Sequence, residues 1–193
     1  MQLLNPERNY TADDLLRTPY RKGYELVDGK LVELSTGAAS SYIGGWLYNF
    51  LMTFCGNPPT GWVFPPETSY QCFPTRPNLV RKPDVSFIRL GRLPNEELPG
   101  GHIRIPPDLG VEVVSPNDEY YEVEEKVREY RSVGVRLIWI VIPPTRNVLV
   151  RRLDGSASEV GENGELDGED VVPGFRCRVA DLFRRPTPPQ QTT

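Results

Sequence analysis

The chain has 193 residues, 38% of them hydrophobic and 25% charged, with a formal net charge of −4 and a pI near 5.2. That length suits one globular domain with a sizeable core, and the acidic balance excludes a global pull toward polyanions or anionic membranes. No run reaches transmembrane length and the first residues do not read as a signal peptide; Cys55, Cys72 and Cys177 with one histidine exclude a disulfide frame and a Cys/His zinc site, and suit free thiols in a reducing cytoplasm.

Thr11-Ala-Asp-Asp opens a short helix with a capping hydroxyl. Tyr24 to Leu34 reads as a β-hairpin turning at Asp28-Gly29. Small residues from Ser35 to Ser41 form a loop into a helix over about 42–54, whose stripe of Trp46, Leu47, Phe50 and Leu51 is a core or partner surface. Short strands are expected at 62–64 and 68–73. Arg81-Lys-Pro-Asp-Val-Ser-Phe-Ile is a strand entered through Pro83, which carries Asp84 inward beside Ser86 and Ile88. His102 sits among Gly and Pro and reads as a loop residue, not a base.

Residues 107–143 form the organising unit: strand, helix, strand. Leu109, Val111 and Val113 share one face of the first strand, while Glu112 shares the other with Gly110 and Val114. A carboxylate so flanked needs a cation, a metal or hydrogen-bond donors, unless the strand lies at an edge and Glu112 meets water. The helix that follows has apolar positions Val123, Val127 and Tyr130, and Lys126 takes a place on that same stripe. Such a lysine either snorkels outward or meets Glu112 beneath it. Gly134 ends the helix, and residues 136–142 return as an apolar strand, completing a βαβ unit. Residues 147–153 make a further strand. Residues 159–170 make an acidic hairpin on the surface. The tail from residue 184 to 193 has the composition of a disordered end, leaving 1–183 as one domain.

Two carboxylates on neighbouring strands suit Mg²⁺ or Mn²⁺, and a lysine beside them completes the minimum set for phosphodiester hydrolysis. The succession Tyr24-Glu-Leu-Val-Asp-Gly, Pro83-Asp84-Val85, Glu112-Val-Val-Ser-Pro, Glu125-Lys126 with Tyr130 and Gly134, Trp139-Ile-Val, Val172-Pro-Gly-Phe and Leu182-Phe183 resembles the Uma2 restriction-endonuclease family. That family is a branch of the PD-(D/E)XK nuclease superfamily. The resemblance spans about residues 10–183. It implies an α/β fold in which a mixed central sheet is flanked by helices, with the N-terminal hairpin as an extension. It also implies that Asp84 and Glu112 bind metal and that Lys126, from the helix, replaces the strand lysine of the superfamily, whose place is held by Val114. Glu33 and Glu67 are candidates for completing the metal shell. Relatives often carry a histidine before the first long helix, where Ser40 and Ser41 stand here.

The implied activity is a Mg²⁺-dependent endonuclease acting on DNA, with a homodimer as the expected assembly. Arg76, Arg81, Lys82 and Arg89 are the candidate DNA contacts, with Arg92 and Arg104 nearby. The alternative is an inactive nuclease-fold module that binds or assembles.

Overall fold

The computed structural model describes residues 7–17, 22–35 and 37–186. Its centre is a six-stranded sheet of β3 (Gly61–Phe64), β4 (Val85–Arg89), β5 (Leu109–Val113), β6 (Leu137–Ile142), β7 (Asn147–Arg152) and β8 (Ala157–Val160), in that spatial order. β5 and β6 are parallel, and the other neighbours in this sheet are antiparallel. A parallel pair needs a crossover, and helix α3 (Tyr120–Ser132) supplies it. The fold is therefore the expected mixed α/β sheet between helices. The N-terminal hairpin is present as β1 (Tyr24–Val27) and β2 (Lys30–Glu33). Asp28 and Gly29 both have positive φ, as a tight two-residue turn between twisted strands requires.

Alternation divides the core into two layers. Val85, Phe87, Leu109, Val111, Val113, Leu137, Trp139 and Val141 pack beneath helix α2 (Ala38–Cys55), meeting Ile43, Leu47 and Leu51. Ile88, Ile138 and Ile140 point the other way and pack with Val127 and Tyr130 of α3. β5 is buried along its whole length. Of the two readings of Glu112, the interior one holds.

Three local expectations differ from the structure. Helix α2 begins at Ala38, because the Ser40 hydroxyl accepts the Gly37 N–H at 3.1 Å and so places the small residues in its first turn. Residues 68–73 form no strand ladder, only isolated bridges from Tyr70 to Arg81 and Ile103; prolines before and after this segment shorten any ladder. The acidic stretch 159–170 is not a simple surface hairpin. Its second half, β9 (Glu165–Asp167), pairs with β10 (Arg176–Arg178) and buries Leu166. The first six residues and the tail beyond Pro186 lie outside the described residues. A last short helix, α4 (Val179–Leu182), packs on α2. Among the described residues no helix is long and apolar enough to cross a membrane.

Candidate active site

The parallel pair positions the site. Glu112 lies in the middle of buried β5, facing α3, and α3 crosses it with Lys126 and Tyr130 one turn apart. The Lys126 ammonium donates to Glu112 Oε2 at 3.0 Å, and the Tyr130 hydroxyl donates to Glu112 Oε1 at 2.7 Å. Lys126 does not snorkel away: its side chain is 18% exposed.

A second carboxylate shares that ammonium. Glu25, from β1, is 1% exposed and places Oε2 3.6 Å from Lys126 Nζ. Glu25 is itself held by Arg81 at 2.8 Å and by the Lys82 backbone N–H at 2.6 Å. Burial pushes the Glu25 carboxyl upward, but Lys126 and Arg81 outweigh it and hold the group below its usual value. Glu112 has no guanidinium of its own. Burial, reinforced by Glu25, leaves its carboxyl raised despite Lys126. Lys126 loses from burial and gains more from Glu112 and Glu25, so its ammonium is held well above the ordinary lysine value. It is a cation, not a base.

Asp84 enters from the neighbouring strand. The antiparallel register ends with Val85 opposite Val111. Asp84, one residue before β4, lies beside Val113 on the α2 side of the sheet with its Cβ facing Gly44, whereas Glu112 faces α3. The expectation that Asp84 shares the face of Ser86 and Ile88 is thereby corrected. The Asp84 N–H donates to Val111 O at 2.9 Å, and the Val113 N–H donates back to Asp84 Oδ2 at 2.7 Å. Burial first, and the Glu112 charge second, push the Asp84 carboxyl up to about 7. A carboxyl raised both by burial and by a second acid marks a site short of positive charge. The hard oxygen donors of the two acids suit Mg²⁺ or Mn²⁺. Among the described residues no cluster of three or more His, Cys, Asp or Glu side chains is arranged to hold an ion, so any metal here would lean on Asp84, Glu112, backbone oxygen and water.

Glu112 and Lys126 open onto a cavity of about 150 Å³, also lined by Glu33, Ser35, Asp118, Glu122 and Glu125. Of the two candidates for an additional shell, Glu33 borders this cavity and Glu67 does not. Glu67 pairs with Lys82 at 2.7 Å and accepts the Gly23 N–H, away from Asp84 and Glu112. Ser40 and Ser41 fall in the first turn of α2. The Ser40 hydroxyl shares a 2.9 Å hydrogen bond with Ser115, tying the start of α2 to the loop after β5.

The basic residues placed on DNA by sequence order are engaged by the protein's own acids and carbonyls. Arg81 and Lys82 are buried, and Arg76 and Arg89 are half-buried. Arg81 bridges Glu25 and Glu129, Arg76 bridges Asp28 and Glu129, and Lys82 is buried against Glu67. Arg89 donates to the carbonyls of Asp170 and Val171. Charge counted along the chain does not reveal partners 48 and 56 residues away, which is where Arg81 finds Glu129 and Glu25. His102 is a structural tie between Ser69 and the Ala12 carbonyl, with burial lowering its pKa.

Glu25 and Tyr130 were not singled out from sequence as site residues. For Tyr130 a signal existed, because it follows Lys126 by four residues on one stripe. For Glu25 none did: its strand has four residues with both central ones buried, so alternation says nothing.

The family model "Uma2: Putative restriction endonuclease" matches residues 12–180. Among solved structures, the chain is similar to a crystal structure of "a putative nuclease belonging to DUF820" from Anabaena variabilis ATCC 29413. The two share 19% identity over 90% of this chain and 97% of that one, at a TM-score of 0.75. No curated protein matches. The residues that carried the resemblance, apart from Leu182 and Phe183, lie within the matched span, and the chain belongs to the Uma2 family.

Proposed function

We propose that the protein is a divalent-metal-dependent endonuclease that hydrolyses phosphodiester bonds in DNA, with Asp84 and Glu112 as metal ligands and Lys126 as the catalytic cation. The observation that carries this reading is the Lys126–Glu112 contact at 3.0 Å, on the floor of a cavity, beside an Asp84 whose proton affinity Glu112 raises. The family and the neighbouring fold support nuclease chemistry in general terms.

Mg²⁺ or Mn²⁺ between Asp84 and Glu112 would polarise a phosphodiester and acidify a bound water. Tyr130 fixes the rotamer of Glu112 by its hydrogen bond. Glu25 holds Lys126 from behind, so the ammonium is pre-positioned and stays charged. With its proton in place, Lys126 orients a nucleophilic water or offsets the negative charge that grows on the phosphate. A cytoplasmic homodimer belongs to the same proposal, with the exposed Met52 and Phe54 at the end of uncharged α2 as its joining surface.

A second reading rests on the cavity's acidic lining. Glu25, Glu33, Glu112, Asp118, Glu122 and Glu125 face it with only Arg81 and Lys126 in opposition. An inactive binding module would tolerate that balance; an enzyme needs cations to overcome it.

Cleavage of supercoiled and linear DNA in Mn²⁺ decides between them. Lys126→Met is expected to cut at a rate lower by about 10²–10³, at metal concentrations that saturate wild type. Cleavage by Lys126→Met or Asp84→Asn at the wild-type rate would refute the assignment.

A further inference from the structure

Lys126 and Arg81 are paired with carboxylates, and acids outnumber cations in the lining of the cavity around them. A polyanion therefore needs a different surface to rest on. The opposite balance occurs in a groove of about 630 Å³ lined by Ala39, Tyr42, Ile43, Pro143, Arg146, Phe183, Arg184 and Arg185. Three arginines and no acid form its wall.

The groove lies next to the candidate active site. Ala39 and Tyr42 belong to the first turns of α2, whose Ser40 is tied to Ser115 just beyond β5. Pro143 follows β6, the strand that runs parallel to β5 and pairs Ile140 with Glu112. The acidic cavity and the basic groove thus flank the same end of the two parallel strands, with the start of α2 between them.

Its arginines are held loosely. Arg146 pairs with Glu162 at 2.8 Å, with both side chains at least 40% exposed, and its guanidinium covers the Phe183 ring at 5.0 Å. Arg184 shares Asp181 with Arg178. Arg185 has no ion-pair partner among the described residues. Exposed pairs of this kind contribute little and exchange readily for phosphate oxygens, unlike the buried pairs of Arg81. Tyr42, 44% exposed, adds an aromatic side chain to the same wall, braced edge-on by Trp46 at 6.2 Å.

We propose that this groove seats a single strand of nucleic acid, with phosphates on Arg146, Arg184 and Arg185 and a base against Tyr42, and that it feeds the strand toward Glu112 and Lys126. This rests on the nuclease reading for its purpose but not for its test. Basic side chains alternating with an aromatic platform are how unpaired strands are held, because every base has a face to stack and every linkage a charge. A duplex would present phosphates but no free base face for Tyr42 to stack on.

The test is fluorescence anisotropy with a labelled oligo-dT in EDTA, where binding is read without cleavage, over a series of salt concentrations. The triple variant Arg146→Ala, Arg184→Ala, Arg185→Ala is expected to bind about tenfold or more weakly and to lower the log–log salt slope by about 2, at ~0.7 per lost contact. Tyr42→Ala, at an exposed position, is expected to weaken oligo-dT by about tenfold while leaving the salt slope unchanged. An unchanged slope in the triple variant overturns the groove. A duplex bound more tightly than oligo-dT overturns the single-strand assignment. Strand binding that depends on the groove in a protein that cuts nothing would leave the groove standing and remove the hydrolytic reading; cleavage with groove-independent binding would do the reverse.

Discussion

Arg81→Met is expected to destabilise the protein by about 3–5 kcal/mol, because it leaves two buried carboxylates without their cation. Arg81 is 4% exposed and donates to Glu25 at 2.8 Å and to Glu129 at 2.6 Å. Those acids come from β1 and α3, so one guanidinium joins the N-terminal hairpin to the helix that carries Lys126. Arg76 continues the chain of charges from Glu129, at 2.5 Å, to Asp28 in the hairpin turn. Methionine matches the length of the side chain and fills the volume, but offers no donor. In a domain of this size the melting temperature should fall by about 10 °C. Arg81→Lys should recover only part of the loss, since a single ammonium cannot serve two carboxylates with the fixed fork of an arginine. Melting within a degree of wild type for Arg81→Met would show that the network carries no weight.

Asp84→Asn is expected to do the opposite, raising stability in EDTA while abolishing cleavage. The Asp84 carboxyl is pushed up to about 7 from an ordinary 3.8. Between those values the native state keeps a proton that the unfolded chain has lost. Stability therefore falls as pH rises from about 4 to about 7, and stays low above. Three units at about 1.4 kcal/mol each set an upper bound near 4 kcal/mol. Asparagine takes no proton, and its carbonyl oxygen can still accept the Val113 N–H that holds Asp84 at 2.7 Å. Denaturation at pH 5 and pH 8 reads the effect. Wild type should lose stability between the two, and Asp84→Asn should lose much less. Equal slopes for both proteins would mean that Asp84 feels neither burial nor Glu112. The site, on this account, is unstable by construction: acids set side by side for a cation repel one another when it is absent.

Much of the site was legible because it is built on regular elements. A period of two places Glu112 on the face away from Val111 and Val113, and a helical stripe puts Lys126 with Val123, Val127 and Tyr130. The turn over residues 115–118 brings the helix back over the strand, so two periodicities become one contact. The fold followed for the same reason, since a parallel pair with a helical crossover leaves few topologies. What stayed hidden depends on partners far apart in the chain. Glu25 sits in a strand too short to show a period. Arg81 and Lys82 looked like a basic run beside Asp84, yet their charges turn inward to acids that sequence order does not bring near. The basic groove was invisible in the opposite way: Arg146 and Arg185 are separated by β7, β8, β9, β10 and α4, and only the fold collects them.

The central claim is that Asp84 and Glu112 together hold a divalent cation beside Lys126, and a melting curve with and without Mn²⁺ tests it most directly. Binding to the native state alone should raise the melting temperature with metal concentration, by RT ln(1 + [L]/Kd) in free energy. Wild type is expected to gain stability in Mn²⁺ at pH 8, whereas Asp84→Asn and Glu112→Gln are expected to melt at the same temperature with metal as with EDTA. A wild-type curve that Mn²⁺ does not move, or a shift of equal size in both variants, would contradict the account.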